Sequence, residues 1–161
     1  MFKNIFLFIV DFLSTTFFSG KIPGPKGTYG SFLALILMYF VFPHFIFKII
    51  LTLILIIFGI FLSDISEKYI YKKKDPSQIT IDEVAGIFVT FIYLYKPNTF
   101  EYKYIILLSI GFIIFRIFDI LKPYPINTLQ NIKGGIGIMI DDLLAGIYSL
   151  ILVNLISYFV G

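Results

Sequence analysis

The chain has 161 residues, of which 58% are hydrophobic and 14% charged. Ordinary soluble domains carry roughly 25% charged residues, and a mean hydropathy of +0.94 marks this chain as apolar along most of its length. A disordered protein, a secreted disulfide scaffold and an ordinary soluble enzyme are thereby excluded. What remains is an all-α, polytopic membrane helical bundle, one domain over 1–161, with room for about four to six spanning or embedded helices. There is no Cys, so thiolate nucleophiles, disulfides and Cys-ligated zinc are out of reach. The single His, His44, reads as a structural or interfacial residue at the end of an apolar run, and one His cannot build a two-histidine site. The net charge of +3 suits a basic cytoplasmic face and not a nucleic-acid partner, which calls for a basic stripe outside any apolar run.

Six apolar segments follow one another, at about 2–19, 31–43, 44–63, 84–95, 104–121 and 138–160. The first is interrupted by Asp11 and reads as a short extra span or an interfacial helix. Pro43 predicts a break between the second and third. Several segments fall short of the roughly 20 residues a bilayer crossing needs, so some are expected to be half-buried against neighbours. Nothing shows the ten-residue alternation of a membrane barrel.

Three longer or more polar connections lie at 20–30, 64–83 and 122–137. With all six segments crossing and the N-terminus outside, these connections share one face and hold nine of the thirteen basic residues with their flanks: Lys21, Lys26, Lys68, Lys72, Lys73, Lys74, Arg116, Lys122 and Lys133. Lys3, Lys48, Lys96 and Lys103 fall on the other side, and the excess predicts a cytoplasmic face. Eight of the ten acids share that geography, Asp11 and Glu101 being the exceptions. Carboxylates at membrane depth are costly and tend to be functional, so their gathering beside bases suggests a polyanionic substrate held through a hard cation.

Two acidic pairs each precede Ala-Gly at the head of an apolar run: Asp82-Glu83 before Ala85-Gly86, and Asp141-Asp142 before Ala145-Gly146. Small residues one turn on allow a second helix to approach closely. Four such carboxylates suit Mg²⁺, which takes oxygen ligands. The competing reading is helix capping, which accounts for one acid per helix but not for a second beside it. Arg116, Asp119 and Lys122 recur every three residues on one side of a helix that Pro123 should end. They read either as an intrahelical ion pair with a snorkelling lysine, or as phosphate clamps (Arg116, Lys122) around a metal-binding or acid–base Asp119. Gly24 to Ser31 reads as a turn and helix start, or as a phosphate-facing loop in which Lys26, Thr28 and Ser31 contact substrate. Gly134-Gly135-Ile136-Gly137 has the same two readings. Lys72-Lys73-Lys74 is a solvated patch facing anionic lipid.

Taken together and in order, Gly27-Thr28-Tyr29-Gly30-Ser31, Ile81-Asp82-Glu83-Val84-Ala85-Gly86, Phe115 to Pro125 and Gly134 to Gly146 resemble the phosphatidylglycerophosphatase A family over about 20–150. The resemblance implies a Mg²⁺-dependent phosphatase of the bacterial inner membrane, converting phosphatidylglycerophosphate to phosphatidylglycerol. Asp75 stands where the family has an Asp seven residues before its Asp-Glu pair. Lys26 departs from the usual Pro and becomes a candidate phosphate ligand. Chemically, an acid-rich phosphatase uses either metal-activated water or a carboxylate nucleophile. Water on Mg²⁺ is the favoured reading, with Asp82, Glu83, Asp141 and Asp142 as ligands, Asp119 as a fifth ligand or general base, and Arg116 and Lys122 neutralising the phosphoryl oxygens. On this reading the catalytic residues are Asp82, Arg116 and Asp119. The chief alternative is a cation-coupled transporter or channel subunit with the carboxylates as an ion path. A nucleotide-activated lipid transferase lacks its Asp-Gly-x-x-Ala-Arg motif here, and a membrane scaffold leaves the doubled acids unexplained.

Overall fold

The structure is a computed structural model that describes residues 2–41, 45–94, 102–129 and 131–160. The expectations for Pro43, His44, Lys96 and Glu101 lie outside the described residues. The described residues are helices joined by turns: α1 (Phe2–Ser14), α2 (Lys26–Val41), α3 (Phe45–Ile65), α4 (Ile81–Thr90), α5 (Tyr102–Leu121), α6 (Ile126–Leu129) and α7 (Gly135–Val160), with a single 3₁₀ turn at Ser19–Lys21.

Three helices are long and apolar enough to cross a bilayer: α3 with its continuation to Tyr71, α5, and α7. The other three major helices are not. With 13, 16 and 10 residues, α1, α2 and α4 reach roughly 15–24 Å at 1.5 Å per residue, against a hydrocarbon core of about 30 Å. Of the four to six spanning or embedded helices expected, three among the described residues are candidate spans, and the shorter apolar segments pack beside them, as their length led one to expect. The connection read as 64–83 is also shorter than expected. The helix runs on through a π turn at Ser66–Tyr71 and closes at Lys72 in the left-handed region. Its polar letters are helix-compatible, and Asp64 and Lys68 pair at 2.7 Å one turn apart.

The centre of the bundle is α4. It is apolar on every side, as a fully surrounded helix must be, with Val84, Ala85, Ile87 and Phe88 buried. It packs against α2, α3, α5 and α7. The outward stripe of α3, including Ile50, Ile54, Ile57, Phe58 and Phe61, is exposed and apolar, the pattern of a surface whose solvent is lipid. Deeper in, the buried Lys48 amine donates to the Leu94 carbonyl and fixes the chain beyond α4 to α3.

The ends of α3 and α5 and the starts of α2, α4 and α7 meet at one end of the bundle, so the three polar connections do share a face. Asp11 belongs there too, contrary to expectation: it pairs with Lys21 and accepts a 2.7 Å hydrogen bond from the Tyr71 hydroxyl. Ser14 and Thr16, just beyond, bond to Thr80 ahead of α4. The first segment is thus a brace on the polar end.

The seam between α4 and α7 is set by Gly86 and Gly146. A Cβ on Gly146 would stand 2.6 Å from the Gly86 carbonyl oxygen, and one on Gly86 would stand 2.8 Å from the Asp142 carbonyl. Backbone cannot swing aside, so Gly146→Ala must push the helices apart, at the roughly 1–3 kcal/mol typical of overpacking. Thermal unfolding in detergent should show a lower Tm for Gly146→Ala, and an unchanged Tm would mean the two helices do not touch at this seam.

Candidate active site

The polar end encloses a cavity of about 340 Å³. Its walls are Gly24 to Gly27 at the start of α2, Asp75, Ser77 and Ile79 from the connection before α4, Asp82 and Glu83 from α4, Arg116, Asp119 and Lys122 from the end of α5, and Asp141 and Asp142 from α7.

Capping does not explain the acids. α4 is preceded by Thr80, whose side chain caps nothing and is spent on Thr16. Asp82 and Glu83 occupy the first turn, and Asp82 accepts the Glu83 amide at 3.1 Å. That leaves Glu83 without a capping task, and its Oε2 is buried with no hydrogen-bond partner. On α7 the case is clearer: the helix begins at Gly135, so Asp141 and Asp142 stand beyond the turn that carries free amides.

Because α4 and α7 touch at Gly86 and Gly146, their acids converge. Asp82, Glu83 and Asp142 each offer one carboxylate oxygen, and the three lie within 4.8 Å of one another. Asp141, expected as a fourth member, is outside this cluster and forms an ion pair with Lys122. Asp119 salt-bridges Arg116 at 2.6 Å, and its carboxyl group lies within hydrogen-bonding reach of Asp142. Arg116 also donates from Nη1 to Ser31 at 3.3 Å, while its buried Nε has no partner.

Burial pushes the carboxyls of Asp82 and Glu83 upward, that of Glu83 to about 8; at Glu83 the Asp142 and Asp119 charges add to the rise, while its hydrogen bond with Asp82 and the Arg116 charge oppose it. Burial pulls Lys122 down, but the Asp141 carboxylate outweighs it and holds the amine above its ordinary value. At neutral pH the Glu83 carboxyl, with its value at about 8, therefore keeps its proton. Oxygen donors of this kind suit a hard divalent ion.

Of the residues expected to touch substrate, Arg116, Lys122 and Lys26 line the cavity. Ser31 does not. It is buried behind Arg116, accepts its guanidinium and donates to the Gly27 carbonyl at 2.7 Å. Thr28 is half-buried and outside the cavity wall. Gly27 earns its place sterically: a Cβ there would sit 2.2 Å from Glu83 Oε1 and 3.0 Å from Arg116 Nη1. The Gly134 to Gly137 run is not a phosphate loop either. It docks the start of α7 on α3, with the Gly135 amide donating to Asp64 at 3.4 Å. Sequence reasoning missed Ser77, which lines the cavity and lies 3.4 Å from the Lys26 amine. Its only signal was its place between Asp75-Pro76 and the Asp82-Glu83 pair.

The sequence profile of the phosphatidylglycerophosphatase A family matches residues 12–157. That extends the likeness beyond the 20–150 that the motifs carry, into the end of α1. A protein of Bacteroides thetaiotaomicron with the provisional name phosphatidylinositol-3-phosphatase is 34% identical over 96% of this chain and 97% of its own. The phosphatidylglycerophosphatase A proteins of Escherichia coli and Haemophilus influenzae are each 34% identical over 92% of this chain, and over 81% and 89% of their own lengths. No solved structure matches the chain.

The raised Glu83 carboxyl gives a signed pH dependence. From its ordinary value of 4.5 up to about 8, Glu83 is protonated in the folded chain and ionised in the unfolded one. The folded state then binds the extra proton, so stability falls as pH rises through that window. Protein treated with a chelator in detergent should lose Tm steadily between these pH values, and Glu83→Gln should flatten the slope. Adding Mg²⁺ near the upper limit should restore Tm in the wild type. A flat wild-type profile would show that Glu83 is not held in a charge-averse setting.

Proposed function

The chain belongs to the phosphatidylglycerophosphatase A family and is a membrane phosphatase, and from that premise we propose that it is a Mg²⁺-dependent hydrolase of phosphatidylglycerophosphate. It removes the terminal phosphomonoester and yields phosphatidylglycerol and phosphate. The observation that carries this reading is the mixed charge of one cavity. Three acids lie within 4.8 Å of each other, with a buried Glu83 oxygen unmatched. The same cavity is lined by Arg116, Lys122 and Lys26, with a buried Arg116 nitrogen unmatched. A divalent ion on the acids and a phosphomonoester on the guanidinium would answer both.

Asp82, Glu83 and Asp142 hold the ion; Asp141 is placed to support them through Lys122. When bound there, Mg²⁺ supplies Lewis acidity toward a phosphoryl oxygen and lowers the pKa of a coordinated water. Arg116 grips the phosphoryl oxygens through its fork and Lys122 and Lys26 add point charges. Asp119 orients Arg116 and, next to Asp142, serves as a fourth ligand or as the base that accepts the proton of the attacking water. Water oxygen bonds to phosphorus, the phosphorus–oxygen bond to glycerol breaks, and the departing oxygen takes a proton. The name of the Bacteroides thetaiotaomicron relative supports an inositol phospholipid as the second headgroup to assay.

Two experiments follow. Phosphate release from phosphatidylglycerophosphate and from a phosphatidylinositol phosphate should be measured in micelles across a Mg²⁺ titration. Release from the first should depend on Mg²⁺, and absence of release from either lipid would sink the reading. Glu83→Gln and Asp142→Asn should each lower activity at least about 10²-fold and raise the Mg²⁺ needed for half-activity. Arg116→Lys should lose kcat as well as KM, because Lys cannot reproduce the fork, whereas Lys122→Ala should act mainly on KM. Wild-type kinetics in Arg116→Lys would reduce that residue to a structural ion pair.

Sidedness rests on the basic residues gathered at the site end, which by the positive-inside rule faces the cytoplasm of a bacterial inner membrane. Cys placed at Lys73 and at Lys133 should resist a membrane-impermeant thiol reagent in intact cells. Labelling of either from outside would reverse the orientation.

A further inference from the structure

Below the catalytic cavity, α2 and α5 part to leave a second, apolar cleft of about 200 Å³. It is lined by Leu35, Ile36 and Tyr39 of α2 and by Ile105, Leu108 and Ser109 of α5. We propose that this cleft is the acyl-chain subsite, through which a lipid phosphomonoester enters sideways from the bilayer with its phosphate at Arg116. The proposal rests on the phosphatase reading above and names the part of the substrate that reading leaves unplaced.

Three observations carry it. First, the two cavities are stacked along one seam. Lys26 and Gly27 open α2 and Arg116 and Asp119 close α5, and the same two helices form the cleft deeper down. At 1.5 Å per residue the cleft residues lie roughly 10–18 Å below Gly27 and Arg116. A headgroup layer is only roughly 5–8 Å thick on each side of the hydrocarbon, so a phosphate at Arg116 puts its acyl chains at cleft depth. Second, the cleft has a built form. Leu108 is a buried floor, Ile36 and Ile105 are partly exposed walls, and Ser109 is a small side chain whose hydroxyl is already spent on the Ile105 carbonyl at 2.9 Å. Between the two cavities the Phe32 and Phe112 rings meet edge to face, with centroids 6.4 Å apart. Third, the other apolar cavity, about 210 Å³ between α1, α2, α3 and α4, has no α5 residue among its described lining, whereas α5 carries Arg116. On that side fully buried Thr80 ties the first segment to the start of α4, bonded to the Ser14 carbonyl at 2.9 Å and to the Thr16 hydroxyl at 3.0 Å.

Burial in the cleft adds no hydrophobic gain, since bilayer and cleft are equally apolar. Its effect is orientation: a chain held between α2 and α5 aims the headgroup at Arg116. Filling the cleft should therefore penalise the lipid more than the same headgroup without acyl chains.

The test pairs kinetics with binding. Ser109→Trp should lower kcat/KM for long-chain phosphatidylglycerophosphate at least about tenfold more than kcat/KM for the deacylated, water-soluble form of the same phosphate. No loss, or an equal loss on both, would overturn the proposal. In the wild type, a lipid with a phosphomonoester headgroup and a photoreactive group in its acyl chain should label Leu35 to Tyr39 and Ile105 to Ser109. Unlabelled phosphomonoester lipid should compete, and phosphatidylcholine should not. Labelling spread over all lipid-facing helices, or equal competition by phosphatidylcholine, would show ordinary boundary lipid and overturn it. The labelling arm needs no turnover. Absence of phosphate release by the wild type on either form would count against the phosphatase reading, while the labelling result still decides the cleft.

Discussion

Confined like charge is the constraint around which this bundle is arranged. Asp82, Glu83 and Asp142 present oxygens within 4.8 Å of one another, and Asp119 reaches Asp142. In a partly dry setting such groups repel strongly and are poorly solvated. Two acids at the site have been given bases, Asp119 with Arg116 and Asp141 with Lys122. Asp82, Glu83 and Asp142 have no such base. Crowding them costs a fold of marginal total stability, and the divalent ion proposed above would offset that cost for all three at once.

The architecture supplies both the confinement and an opening. A helix of 10 residues is too short to cross a bilayer alone. Surrounded by α2, α3, α5 and α7, it can start at the polar end and stop inside the apolar interior without exposing its backbone to lipid. Its first turn then lies at the headgroup level, where a phosphate is available, while its apolar remainder anchors it. The close α4–α7 contact through Gly86 and Gly146 brings the Asp82-Glu83 turn beside the second turn of α7. Lys21, Asp11 and Tyr71 tie α1 and the end of α3 together outside this core, and Thr80 passes that restraint to the start of α4.

The chemistry was legible in the sequence because apolar chains make charged letters conspicuous. Paired acids followed by Ala-Gly, and Arg116, Asp119 and Lys122 at a spacing of three before Pro123, identified half of the cavity wall. What could not be read was which acid meets which base. Asp141 and Asp142 are neighbours in sequence, yet about 100° of helix rotation sends one to Lys122 and leaves the other with Asp82 and Glu83. Which apolar segments cross is not legible for a related reason: hydropathy reports that a segment is apolar, not whether lipid or protein surrounds it. Beyond its first turn α4 is apolar, but it is enclosed by other helices. Asp11 was misplaced because its partners, Lys21 and Tyr71, lie 10 and 60 residues away. Ser31 was given to the substrate, while the fold uses it to seat Arg116, a task visible only once α2 and α5 are side by side.

Polarity within the cavity also bears on why the lipid phosphatase reading is preferred over an ion path. A conduction path distributes carboxylates along a route across the membrane. Here the acidic cluster is confined to the ends of helices at one pole, and below it on the α2–α5 side lie Phe32, Phe112 and an apolar cleft. That sequence of environments, a cavity of mixed charge, then aromatic and then aliphatic side chains, follows the order of groups in a phospholipid with a terminal phosphate. An ion would gain nothing from the last two. A tethered phosphomonoester would use all three, because its position along the seam would be fixed at both ends.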